Sequence, residues 1–299
     1  MMTIYTLPAL IGPALGPILG AFATTHLSWR WTFWIVSAMS LFIQLLGLVF
    51  LSETHIPLYQ STAEGHSKAL TRLTASLKRP FKLFVAHSIV QLIALYSALT
   101  YGTMYLAIAS FHTVWTEVYR QRPDLSSLNY IALAAGFCAG SFGSRHLNAY
   151  CQRKLHDPHS QEPWCPEHRV PSLVVGAFLI PVGLLSLGWS AQAHVFPLLP
   201  VAGAAVFASG TVVILQFTSL YIVDCYETRS SSALSGITVV RSLAGFAFPL
   251  FASKMFQSLG YGWGNTLLAL VSIAFGGPLP FIVWKLGPRL REKDMTRPS

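Results

Sequence analysis

The stretch LIGPALGPILGAF, Leu10 to Phe22, is apolar along its length yet contains two prolines and three glycines. Each proline removes one main-chain hydrogen bond from a helix, and each glycine lets a neighbouring backbone approach closely. The stretch therefore predicts a bent membrane helix that packs tightly against another helix.

The composition places the whole chain in a membrane. Of the 299 residues, 53% are hydrophobic and 10% are charged, whereas ordinary soluble domains carry roughly 25% charged residues. No Lys or Arg precedes Arg30, so the first apolar run lacks the basic segment of a secretory signal and is interpreted as a spanning helix. These features exclude a soluble fold.

Eight segments are apolar over the ~20 residues needed to cross ~30 Å of hydrocarbon. None of them alternates apolar and polar residues as the strands of a membrane β-barrel do. We therefore predict an all-α membrane protein, a helical bundle with about eight transmembrane helices. The segments are residues 4–24, 31–51, 83–110, 127–149, 171–190, 195–222, 231–253 and 263–285.

The basic residues are distributed unevenly between the two sides of the predicted bundle. Fifteen of the 20 Lys and Arg residues lie in the connections after the second, fourth and sixth spans and in the tail, against four on the other side. Because cytoplasmic loops are rich in Lys and Arg, this predicts a cytoplasmic C-terminus. Membrane orientation thus explains the net charge of +9. We expect the lipid bilayer and a small-molecule substrate as partners, with no nucleic acid and no obligatory protein partner evident.

Polar and aromatic side chains recur on one half of the third span, where spacings of four and five residues keep them together. Arg241 is the basic residue at depth in a span, where an ionisable group costs ~2.5–3.5 kcal/mol. The pattern predicts either a cavity that holds an amphipathic substrate or hydrogen bonds between helices. Arg241 either contacts substrate, bridges helices or extends towards an interface. The substrate-lining candidates are Gln91, Tyr96, Tyr101, Tyr105, Gln216 and Arg241.

Residues that would perform chemistry are scarce. Asp224 and Glu227, at the end of the sixth span, are weak candidates for proton coupling, and a solvated helix end or an ion pair across a loop is the alternative interpretation. The loop from Cys151 to His168 matches no structural zinc spacing. The four cysteines, which contain no CxxC pair, predict no disulfide framework. Without a hydrolase, kinase or metalloprotease motif, we expect no enzyme, no catalytic residue and no metal.

The opening stretch resembles the antiporter motif in the fifth helix of the major facilitator superfamily, a run of the form GPxxGPxxGG. In that family the motif is thought to help seal the outward path and so to favour export. The similarity extends along the chain, specifically to fungal drug and polyamine proton antiporters and relatives that export secondary metabolites, in stretches such as WRWTFWI, LKRPFKLF and YIVDCYETRSSSALSG. The matching motif residues are Gly12, Pro13, Gly16, Pro17 and Gly20, and Ala21 stands where the last glycine would be.

The resemblance implies a plasma-membrane exporter of small amphipathic or cationic molecules, such as drugs, polyamines or secondary metabolites, that uses a proton gradient and no cofactor. It makes the eight spans helices five to twelve of a twelve-helix fold, with an incomplete N-terminal half and a full six-helix C-terminal half. The implied domains are residues 1–52 for the last two N-terminal-half helices, 53–82 for the cytoplasmic central loop, 83–286 for the C-terminal half and 287–299 for the cytoplasmic tail.

Helices one to four of that fold have no counterpart in the sequence, so we expect an N-terminally truncated copy. Alternating access needs two halves that rock about a site near the bilayer midplane. The alternative function is therefore a truncated, non-transporting remnant or a membrane subunit that depends on a partner.

Overall fold

The fold is built from helices. The structure, a computed structural model, describes residues 2–50, 84–85, 87–155, 165–226 and 230–295, and no strand occurs within these ranges. This confirms the prediction of an all-α membrane bundle. A π-helix, Val114–Val118, extends the helix Ser88–Thr113, and a 3-10 turn, Pro166–Arg169, precedes the helix Val170–Gln192. The α-helices of these ranges are α1 Met2–His26, α2 Trp29–Phe50, α3 Ser88–Thr113, α4 Pro123–Leu128, α5 Tyr130–Leu155, α6 Val170–Gln192, α7 Leu198–Cys225, α8 Ser230–Gly276 and α9 Pro278–Met295.

Six helical stretches of the described ranges are long and apolar enough to cross a membrane. Five of them each overlap one predicted span, from the second to the sixth. The remaining stretch, 230–289, contains the last two predicted spans, and α1 covers the first predicted span. The predicted central loop, 53–82, lies outside the described residues, so the predicted domain boundaries stay a prediction.

Helix α8 is broken at Gly260. A straight helix of its 47 residues would be ~70 Å long, far more than the bilayer requires. Gly260 has φ 76° and ψ 169°, a conformation that only glycine adopts without strain. The chain therefore leaves the helix at this residue, and α8 consists of two helical segments.

Polar contacts at one end of the bundle show how the helices alternate in direction. The Tyr119 hydroxyl, just beyond α3, donates a hydrogen bond to the carbonyl oxygen of Val195 in the α6–α7 turn, at 2.8 Å. The Tyr261 hydroxyl, beside the break in α8, donates to Glu117 Oε2 at 3.3 Å. We call this the Glu117 end, and the opposite end, where α7 finishes, the Asp224 end.

Helices α6 and α7 pack with their backbones in close contact. A Cβ added at Gly203 would lie 2.7 Å from the Leu187 nitrogen, and one added at Gly210 would lie 2.9 Å from the Ile180 nitrogen. Such distances exclude any side chain, so the small residues determine how closely the helices approach. We call this contact the glycine seam; its glycines are Gly176 and Gly183 of α6 and Gly203 and Gly210 of α7.

A second close contact joins α5 to α7. Gly136 and Gly140 form a GxxxG pair, and a Cβ added at Gly140 would lie 2.5 Å from the Ser209 carbonyl oxygen. Gly143, three residues further along α5, faces open space. The tight side of α5 is therefore limited to one stripe.

The glycines of α1 do not make the close contact that the sequence suggested. No heavy atom within the described part of the chain lies within 4 Å of a Cβ added at Gly12, Gly16 or Gly20. Helix α1 is continuous through Met2–His26 and packs against α4 and α5. The expectation of tight apposition is thus not met inside this chain, because the glycine face of α1 points away from those helices.

Candidate functional site

Three of the six substrate-lining candidates meet between α3 and α8. Tyr101 and Tyr105 lie one turn apart on α3, and their ring centroids are 4.8 Å apart at an interplanar angle of 52°. The Tyr101 hydroxyl donates a hydrogen bond to the Tyr105 hydroxyl at 3.3 Å. The pair therefore presents two aromatic faces and two hydroxyls at one level of the bundle.

Arg241 of α8 completes this cluster. Its guanidinium carbon lies 4.7 Å from the centroid of the Tyr101 ring, a distance at which a cation is attracted by the ring. Gly245, one turn further along α8, would place an added Cβ 3.0 Å from Tyr101 Cδ1. The missing side chain at this position lets the two helices approach, and we call Tyr101, Tyr105 and Arg241 the aromatic–arginine cluster.

The guanidinium group retains hydrogen-bonding capacity. Arg241 Nε is buried and has no hydrogen-bond partner among the described residues. A buried donor without a partner is costly and therefore needs an explanation, and a bound acceptor group would supply one. The cluster is therefore suited to bind a group that accepts a hydrogen bond and stacks on tyrosine.

The other three candidates lie apart from the cluster contacts. Gln91 is exposed, and its Nε2 donates to the Val85 carbonyl oxygen at 3.0 Å. Tyr96 is buried against α8, with its hydroxyl 2.7 Å from the position of a Cβ added at Gly276. Gln216 is buried in α7, where its Nε2 has no hydrogen-bond partner among the described residues. The spacing on α3 predicted one group of residues, whereas the structure places Gln91 and Tyr96 at other levels of the helix than Tyr101 and Tyr105.

Asp224 forms an ion pair at the Asp224 end. The Nε of Arg169 donates to Asp224 Oδ2 at 2.6 Å, and Nη2 donates to Oδ1 at 3.4 Å. Arg169 Nη1 also donates to Asn148 Oδ1 at 3.3 Å, which ties α5 to the same group. This is the ion pair across a loop that the sequence left open as an alternative to proton coupling. Glu227, the other proton-coupling candidate, lies outside the described residues.

A pocket of about 330 Å³ lies where the motif helix meets the rest of the bundle. Pro17 of the predicted antiporter motif and Thr25 reach it from α1, and His112 lines it from α3. The Nδ1 of His112 is 3.0 Å from the Ser126 hydroxyl oxygen of α4. His112 was not among the candidates predicted from the sequence, because nothing in the local pattern shows that α1 lies next to it.

The described residues contain no group of three or more His, Cys, Asp or Glu side chains that could hold a metal ion. His156 and His159 of the Cys151–His168 loop lie outside these residues. Cys138 and Cys151 are free thiols.

Comparison with known families identifies the bundle. The profile of the Major Facilitator Superfamily matches residues 1–249. The chain belongs to this superfamily. Its curated relatives include the MFS-type transporter oryF of Aspergillus oryzae, which is 35% identical over 310 residues, covering 98% of this chain and 64% of the relative.

Two further superfamily relatives carry efflux in their names. Efflux pump vrtL of Penicillium aethiopicum is 39% identical and covers 97% of this chain and 60% of its own length. The probable efflux pump mfs2 of Aspergillus flavus is 33% identical, and the match covers 99% of this chain and 74% of mfs2. This superfamily chain therefore spans about two thirds or less of the length of oryF and vrtL. No solved structure matches it significantly.

Proposed function

We propose that this chain belongs to a secondary active transporter that exports small amphipathic or cationic molecules by proton coupling. The observation that carries the proposal is the aromatic–arginine cluster, which places a half-buried cation and two tyrosines between two helices of a major facilitator bundle. Ionisable residues inside membrane bundles commonly mark substrate pathways. Relatives named efflux pumps support the outward direction.

The chemistry of the cluster favours one of the two substrate classes. A fixed guanidinium repels a permanent cation and attracts carboxylates, phenolates and carbonyl oxygens. The rings of Tyr101 and Tyr105 favour a flat apolar body. An amphipathic secondary metabolite with acceptor oxygens suits the site better than a polyamine does.

We place the Asp224 end in the cytoplasm and the protein in the plasma membrane. Arg145 and Lys154 of α5 and Lys285 of α9 are exposed towards this end, as the enrichment of cytoplasmic surfaces in basic residues requires. The proton gradient is the energy source, and no cofactor takes part. Because Asp224 is held by Arg169, the proton carrier is better sought elsewhere.

The proposal is tested in liposomes that contain the full chain and an imposed pH gradient. We use carboxyfluorescein as an anionic aromatic probe and rhodamine 6G as a cationic one. We expect gradient-dependent transport of carboxyfluorescein and a decrease of about tenfold in Arg241→Ala, equivalent to ~1.4 kcal/mol. Lys254→Ala, an exposed basic residue of the same helix, is the matched control and keeps the rate. Correctly inserted protein with no gradient-dependent flux of either probe would contradict the proposal.

The alternative is a membrane subunit that needs a partner or a remnant that does not transport. The open glycine face of α1 favours it, and so does α2, in which no residue is buried. Sequencing transcripts across the 5′ end of the gene separates the two functions. Codons for four further apolar spans in frame support the exporter, whereas a transcript that begins at Met1 supports the partner-dependent subunit or remnant.

A further inference from the structure

A long apolar groove runs along the outside of the bundle between α6 and the α8–α9 junction. Its volume is about 980 Å³. Phe178 and Pro181 line it from α6, and Phe281 and Trp284 line it from α9. Its α6 wall extends from Val170 to Leu185, a length of ~22 Å of helix. One leaflet of hydrocarbon is ~15 Å deep, so the groove is long enough for an acyl chain.

Both walls of the groove are interrupted. Pro181 lies inside α6 and cannot donate a hydrogen bond to the carbonyl group one turn earlier. On the other wall, α8 ends at Gly276 and α9 begins at Pro278, with Gly277 between them. Towards the Glu117 end α6 and α8 pack closely, since a Cβ added at Gly188 would lie 2.6 Å from Asn265 Cβ. The groove lies beside the two interruptions.

The groove opens onto the surface that faces the bilayer. Phe178 is 69% exposed, Phe281 61% and Trp284 49%. Exposing large apolar side chains to water costs free energy, whereas contact with lipid tails does not. Helix α1 packs elsewhere, against α4 and α5.

Positive charge continues the groove at its Asp224 end. Phe281, Lys285 and Arg289 follow one another every fourth residue, so they lie along one side of α9. Lys285 Nζ is 4.5 Å from the centroid of the Phe281 ring, which places the ammonium group directly above the apolar lining. Arg289 is exposed one turn further. The buried side chain of Glu167 contacts α9 at Gly287. Gly287 lies on a different side of the helix from Lys285 and Arg289.

We propose that this groove binds a phospholipid with an anionic headgroup. The acyl chain lies along Phe178, Pro181 and Phe281, and Lys285 and Arg289 bind the headgroup phosphate. Basic side chains at the end of an apolar groove between membrane helices are a chemistry that selects anionic over zwitterionic lipids. The proposal concerns a surface distinct from the aromatic–arginine cluster and does not depend on transport.

The test uses the full chain in phosphatidylcholine bilayers with increasing mole fractions of phospholipid brominated on its acyl chains. Bromine quenches nearby tryptophan, and the Trp284 signal is obtained as the difference between the chain and its Trp284→Phe variant. We expect half-maximal quenching by brominated phosphatidylglycerol at a mole fraction about fivefold lower than for brominated phosphatidylcholine, an effect that one basic residue near anionic lipid can supply.

Variants assign the selectivity to the proposed residues. In the double variant Lys285→Ala/Arg289→Ala, the two brominated lipids should quench Trp284 equally. The control Arg145→Ala/Lys254→Ala, which also removes two exposed positive charges, should keep the preference. Equal quenching by the two lipids in the unmodified chain would overturn the proposal, because the groove would then be ordinary lipid boundary. Absence of quenching by either lipid would also overturn it, since another part of a protein would then cover the groove.

Discussion

At the residue scale, loss of the Arg169–Asp224 pair should be costly. The side chains are 10% and 17% exposed, and a buried charge that loses its partner is strongly destabilising. Asp224→Asn should lower the free energy of unfolding by ~3 kcal/mol, measured by thermal or denaturant unfolding in detergent. A double-mutant cycle with Arg169→Gln should recover part of this loss.

The Arg122–Asp124 pair is the control for this prediction. Its atoms are 3.0 Å apart, but the Arg122 side chain is 77% exposed. Arg122→Ala should therefore cost less than ~1 kcal/mol. A coupling energy near zero for Arg169 and Asp224 would show that this ion pair does not stabilise the fold.

Single residues also show the limit of spacing as a guide to the site. Tyr101, Tyr105 and Arg241 were among the substrate-lining candidates predicted from the sequence, and the structure places their side chains together. The sequence could not predict that Gln91 is exposed near the start of α3 or that Gln216 is buried in α7. Helical spacing gives the direction of a side chain around its own axis, whereas its neighbours depend on how distant helices pack.

At the element scale, α5 contains two glycines that test the role of close backbone contact. Gly140 lies against the Ser209 carbonyl group of α7, and Gly143 faces open space. Gly140→Ala should therefore destabilise the bundle by ~1–3 kcal/mol through overpacking. Gly143→Ala should be neutral or slightly stabilising, because alanine favours helix over glycine. Equal unfolding temperatures for the two variants would contradict this account of the α5–α7 contact.

The break in α8 makes a second prediction at this scale. Gly260 has φ 76°, where a Cβ is strained. Gly260→Ala should lower the free energy of unfolding by ~1–3 kcal/mol. Ser258→Ala, two residues earlier in the helix, should have little effect. Measurement of both unfolding temperatures in detergent checks the difference.

Glycine content alone did not reveal which helices approach closely. Gly12, Gly16 and Gly20 form the most conspicuous pattern in the sequence, but they face open space within this chain. Gly183 and Gly210 are isolated in sequence and lie in the glycine seam. The difference arises because a small residue allows close approach but does not supply the partner, which depends on tertiary packing.

At the scale of the whole molecule, the motif helix α1 contacts α2 as well as α4 and α5, and so joins α2 to the rest of the bundle. Pro17 lines the pocket that also contains His112. Pro17→Ala restores a main-chain donor and should straighten α1. We expect impaired carboxyfluorescein efflux from liposomes with unchanged membrane insertion. Unchanged efflux from a correctly inserted Pro17→Ala protein would remove the role assigned to the motif.

The overall architecture was largely predictable, because membrane helices can be recognised from the length and apolarity of their sequence segments. The sequence placed a boundary between two spans after residue 253, and the chain breaks at Gly260. The pairing of α1 with α5 and of α6 with α7 was not predictable, since an apolar helix is almost equally apolar on all sides. Only the distribution of small residues and the connections between helices select one packing.

The glycine seam has a consequence for the order of assembly. Helices α6 and α7 follow each other directly, joined by the short turn of residues 193–197, and their contact needs no other helix. They can thus close into a hairpin as soon as both have entered the bilayer. Helix α3, by contrast, must wait for α8, which is synthesised more than a hundred residues later. The aromatic–arginine cluster between α3 and α8 is therefore among the last parts of the protein to form.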